Sequence, residues 1–158
     1  MNFLDIFSKT GVSFIEDMIH EIMCTNAISE SFGLYLSPQD SQEIIMNRNA
    51  ILKEYERVEV DNEITQKIIT QFCSSPYLQQ TDYADTIMEI QTLFHHLKNE
   101  LDDNIGDDEL IEKLADLYNN NCFGALDLLQ GRETEKIIKQ YKFGDEDEQD
   151  IDLDMEEE

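Results

Sequence analysis

His20 and Cys24 stand four residues apart, a spacing that puts an imidazole and a thiol on one helix face, and His95–His96 supply two more rings. Imidazole and thiolate are good zinc ligands, and four of them converging would make a structural site. The spacings match no zinc-finger pattern, and a core cysteine beside a surface histidine accounts for the same residues. The pair could also serve a thiol nucleophile, but no oxyanion-hole glycine loop and no third orienting residue accompany it. The sequence contains no G-x-S-x-G, no G-x-x-x-x-G-K-[ST] and no G-x-G-x-x-G, so neither a serine nucleophile nor a phosphate cradle is in view. Asp150, Asp152 and Asp154 open like a calcium loop, but Met155 stands where the glycine belongs and no loop-closing glutamate follows at the twelfth position. No catalytic, cofactor or metal residue is assigned on these grounds.

Two other features point to binding. Arg48 falls between Ile44 and Ile51–Leu52 on one apolar stripe. A guanidinium there either forms a structural ion pair, with Glu59 or an acid of the following helix, or offers its fork to an anion or a partner's carboxylate in a groove. The second feature is the stretch "DEDEQDIDLDMEEE", ten carboxylates in residues 145–158. Its plainer reading is a solubilising acidic end. In an extended chain, however, Ile151, Leu153 and Met155 face one way and the acids the other, which suits a sheet edge or an apolar groove rimmed with Lys and Arg. Arg48, Ile151, Leu153 and Met155 are the candidate partner-binding residues.

The charge balance narrows the partner. Eleven basic residues face 36 acidic ones, for a net charge of −25 in 158 residues. Without residues 145–158 the first 144 still carry −15, so the acidity belongs to the whole chain. Such a chain repels nucleic-acid phosphates and anionic lipid and favours a protein with a basic surface. Three cysteines with no C-x-x-C and a start, "MNFLDIFSK", without a basic leader region suggest reduced, buried thiols in the cytoplasm. No apolar run approaches the ~20 residues of a membrane span. Oligomeric state is left open.

Periodicity supplies the elements. Ser13 and Glu16 have capping-box spacing ahead of a stripe from Phe14 to Met23, and Gly33 permits a turn after it. Ser37-Pro38 and Asp40 start a helix through Ile44, Ile45, Ile51, Leu52 and Tyr55. Asp61 is expected to cap a helix through Ile64, Ile68, Ile69, Phe72 and Cys73, stopped by Pro76. Thr81 would cap the longest helix, with Tyr83, Ile87, Ile90, Phe94, Leu97 and Leu101 stepping by four and three. Asp107 would cap the next, through Leu110, Ile111, Leu114, Leu117 and Tyr118. A short helix around 123–129, a break at Gly131 and a last helix through Ile137, Ile138 and Tyr141 complete the expectation, with order ending at Gly144. The fold class is all-α: an irregular bundle of six or seven helices in one domain, residues 1–144, with a disordered acidic tail, 145–158.

Three stretches, "FGLYLSPQDSQEIIMNRNAILKEYERVEV", "FCSSPYLQQTDYADTIMEIQTLFHHLKNEL" and "DDELIEKLADLYNNNCFGALDLL", together resemble a family of unknown function from Clostridia-like Firmicutes, DUF6323. The resemblance spans roughly residues 32–130. It implies a cytoplasmic bacterial protein with a helical fold and no particular reaction, and the acidic tail is not part of its pattern.

These features point to a non-enzymatic module that binds another protein. Two alternatives stand beside it: a nucleic-acid mimic inhibiting a DNA- or RNA-binding protein, which needs rows of acids at phosphate-like spacing, and an enzyme with a helical site drawn from His20, Cys24, Arg48 and His95.

Overall fold

The computed structural model describes residues 15–59 and 61–143, and no strand occurs among them. Six helices of ten or more residues carry the chain, so the all-α expectation holds. Ser13, Gly144 and the tail 145–158 lie outside the described residues. The chain divides into two compact units, Met1–Thr92 and Leu93–Glu158.

In the first unit, α1 spans 15–24 and buries Met18 and Ile22. A single turn, α2 (Asn26–Ser29), runs into a 3-10 turn that Gly33 ends at φ +78°, a left-handed conformation that residues with a Cβ resist. The next residues are held by amides and one hydroxyl. Leu34 donates to the Ser29 carbonyl and accepts from its Oγ, Tyr35 exchanges both backbone bonds with the Gln80 amide, and Leu36 does so with the Asn26 amide.

Ser37 then caps α3 (Pro38–Glu54): its side chain accepts from the Asp40 N–H, and the Asp40 carboxylate accepts from the Ser37 N–H. Ile44, Ile45, Ile51 and Leu52 are buried as their spacing predicts. The start of α4 (Glu63–Phe72) falls one residue later than expected. Asn62 precedes it, while the Asp61 carboxylate still accepts from the Glu63 N–H. Asn62 is drawn inward because its amide donates to the Met18 carbonyl and accepts from Gln66. Helix α5 (Tyr83–Glu100) begins after a 3-10 turn, Gln80–Asp82, so Thr81 lies inside that turn and does not act as the cap. Within this unit, Tyr83, Ile87 and Ile90 of α5 are fully buried. Gln91, also fully buried, ties three helices: it donates to the Ile44 carbonyl and Asn47 of α3 and accepts from the Thr65 hydroxyl of α4.

In the second unit, Phe94, Leu97 and Leu101 continue the α5 stripe and are buried. The chain turns through Asp102 and Asp103, both at positive φ, and enters α6 (Asp107–Asn120). Gly106 is the residue before that helix, so Asp107 is its first member and not its cap; its carboxylate instead pairs with Lys98 at 2.8 Å. A second departure follows α6. Gly131 was expected to break the helix, but the chain runs from α7 (Leu126–Leu128) through a π-turn, Leu129–Glu133, directly into α8 (Thr134–Phe143). The wider turn takes up the glycine without ending the helical path, burying Leu129 and Glu133.

Candidate functional site

Arg48 projects from the apolar side of α3 and is 3% exposed. It sits between Ile44–Ile45 and Ile51–Leu52, one turn away in each direction, so the helix itself delivers it into the core. Its Nη2 donates to the carbonyls of Glu59, at 2.8 Å, and of Asp61, and its Nη1 donates to the Asn49 side chain. Nε is enclosed with no acceptor among the described residues. Burial lowers the guanidinium's hold on its proton, and the Glu59 and Asp61 carboxylates act against that loss. The connector between α3 and α4 is thus gathered onto one buried cation. Glu56, at φ +55°, provides the reversal that brings it back.

The second unit has a counterpart that the sequence reading missed. Lys98 of α5 is 5% exposed; its ammonium donates to the Ile105 carbonyl at 2.6 Å and contacts Asp107 at 2.8 Å and Asp103 at 3.6 Å. The "DDNIGDD" segment looked like a solvated break, yet Lys98 directly follows Leu97 of the stripe, which is the signal that could have found it.

The remaining candidates differ in burial. Cys24 is exposed, not buried, because the inward face of α1 runs through Met18 and Ile22, and Cys24 lies on the far side with His20. Their Sγ and Nε2 are 3.8 Å apart at the surface. His95 is 1% exposed and meets Phe94 edge-on at 5.1 Å between ring centres. Among the described residues, no three or more of His, Cys, Asp and Glu are grouped to hold a metal ion. Cys73 and Cys122 are buried, and burial pushes both thiols up. Ile151, Leu153 and Met155, like Asp150, Asp152 and Asp154, lie outside the described residues.

The sequence reading also passed over a basic ridge. Arg132, Lys136, Lys139 and Lys142 recur at spacings of four, three and three, the period of one helix face, and all four are exposed. Glu133, the only buried acid among the described residues, takes Arg132 at 2.8 Å and Lys136 at 3.7 Å on one carboxylate, and Lys142 meets Glu100 at 3.3 Å. Arg132 also donates to the Asn121 carbonyl, which brings the corner bearing exposed Phe123 to the same end.

Among known families, the chain matches over residues 21–147 one described as a family of unknown function, DUF6323. No curated protein and no solved structure matches it.

Proposed function

Given that the chain belongs to DUF6323, a family of unknown function, we propose that it is a non-enzymatic module that binds a protein with a basic surface in the cytoplasm of a Firmicutes-like bacterium. The observation that supports this is where the carboxylates stand: every described acid except Glu133 is at least partly exposed, in a chain of net charge −25. Carboxylates left in water raise the encounter rate with a cationic partner and repel nucleic acid and anionic lipid. The segment with Ile151, Leu153 and Met155 would add apolar contacts that slow release. Among the described residues, no helix is long and apolar enough to cross a membrane.

The test is capture from a bacterial lysate with the immobilised full chain, beside a full chain carrying Ile151→Ser, Leu153→Ser and Met155→Ser. At about 0.15 M ionic strength, where the Debye length is about 8 Å, the native chain should retain a partner that the variant holds less well and ~1 M salt releases. A captured nuclease or repressor would redirect the reading to nucleic-acid mimicry. An empty capture at every salt concentration would remove it.

A further inference from the structure

The basic ridge that runs from the π-turn along α8 is out of place in a chain this acidic, and its position suggests what covers it. Four of the chain's eleven cations fall within residues 132–142. They stand against two carboxylates in that stretch, Glu133 and Glu135, and against Glu100 beside Lys142, so four cations face three acids and the ridge keeps a small positive excess in a chain otherwise dominated by acids. Leu128, one helical step before Arg132, is 37% exposed, and Phe123 is 66% exposed at φ +50°. The surface therefore reads as apolar at the α7 end and cationic toward the end of α8. The segment that leaves α8 has the complementary order: acids first, in Asp145–Glu148, then the alternation through Ile151, Leu153 and Met155.

We propose that residues 145–158 dock back, in the same chain, along the ridge formed by Leu128, Arg132, Lys136, Lys139 and Lys142. Lengths permit it. From Leu128 to Phe143 is fifteen residues of helical path, roughly 22 Å at 1.5 Å per residue. Ile151 lies eight residues beyond Phe143, roughly 26 Å of extended chain at 3.3 Å per residue, enough to turn at Gly144 and bring Ile151 level with Leu128. The early acids then lie over Lys142, Lys139 and Lys136, and the apolar trio meets Leu128 and Phe123. Attachment through so short a link gives an effective concentration in the millimolar range, so weak contacts suffice. The inference rests on the protein-binding reading in one respect: the same tail serves both, and an external basic partner would have to displace it from α8.

Solution NMR on the full chain tests this without any partner present. At ~0.01 M ionic strength, contacts are expected between the methyls of Ile151, Leu153 and Met155 and those of Leu128 or the ring of Phe123. They should be lost at ~1 M, where the Debye length falls to about 3 Å. They should also be lost in the full chain carrying Lys139→Glu and Leu128→Gln, two exposed positions whose change should leave the signals of buried Leu97 and Leu114 in place. Should that variant misfold, the salt comparison on the native chain decides. Absence of contacts at low salt overturns the proposal, as do contacts found only between differently labelled chains in a mixed sample, which would assign the ridge to a second copy. A tail that proves free here leaves the lysate capture untouched, so the two readings fail separately.

Discussion

Arg48 and Lys98 do the same work in their separate units. Each is a cation carried into the interior by a helix, and each binds a connector that has no regular structure of its own, Arg48 through two carbonyls and Lys98 through one carbonyl and two carboxylates, the second at the first residue of α6. Arg48→Met should therefore cost about 2–4 kcal/mol, because the Glu59 and Asp61 carbonyls lose their donor while their carboxylates lose a positive neighbour. Urea unfolding checks it, and a cost below ~1 kcal/mol would show that the connector does not depend on the guanidinium. Lysine at 48 should recover only part of the loss, since one ammonium replaces a fork reaching three groups. Tyr83 makes a different prediction. Burial, aided by Cys73, pushes its phenol up to about 12 from the ordinary 10. The folded state thus favours the neutral ring. Its contribution is complete below pH 10 and is lost as pH rises toward 12, a fall of roughly 2–3 kcal/mol at 1.36 kcal/mol per pH unit. Tyr83→Phe should flatten that part of a stability-versus-pH curve, with the remaining alkaline slope left to Cys73 and Cys122, whose thiols shift in the same direction.

The helices were most legible where cap and stripe agreed. Ser37, Pro38 and Asp40 define the start of α3 both by spacing and by the reciprocal bonds they form. Ser37→Ala should cost about 1 kcal/mol by thermal or urea unfolding, with Asp40→Ala costing a similar amount. An unchanged midpoint would mean that burial alone holds the α3 start. The stripe of α5 was also readable, because a run of large apolar residues at four and three is buried from Tyr83 to Leu101. Helix starts failed where a tertiary bond outbid the local one. Asn62 turns inward toward Met18, and Asp107 is engaged by Lys98. Gly131 misled for another reason: a glycine lowers helix propensity but does not forbid helical geometry, and a π-turn absorbs it. Of the candidate site, Arg48 was visible as a charge on an apolar stripe. Glu59 was legible as a partner by its charge; the carbonyls of Glu59 and Asp61 that the guanidinium binds were not, since every residue has one.

Charge is a property of the full chain, and it acts on folding. With 36 acids against 11 cations, and nearly all the described acids in water, compaction works against repulsion. The melting temperature should climb by about 2–6 °C between ~0.01 and ~0.5 M sodium chloride, the equivalent of roughly 1–2 kcal/mol in a chain of this size. Differential scanning calorimetry across that series checks it, and a flat response would mean that the acids are spaced widely enough to ignore one another. The sign of the charge was legible from composition alone. The concentration of cations on α8 was legible too, but a net value of −25 directs attention to the acids and hides a small surface of the opposite sign.

The three residues Leu34, Tyr35 and Leu36 belong to no helix, yet every backbone donor and acceptor among them is already engaged by Ser29, Gln80 or Asn26. A protease that grips its substrate by adding a strand to it needs those same groups free. This loop should therefore survive limited digestion that its lack of secondary structure would seem to invite, and Gln80→Ala should open it to cleavage beside Tyr35.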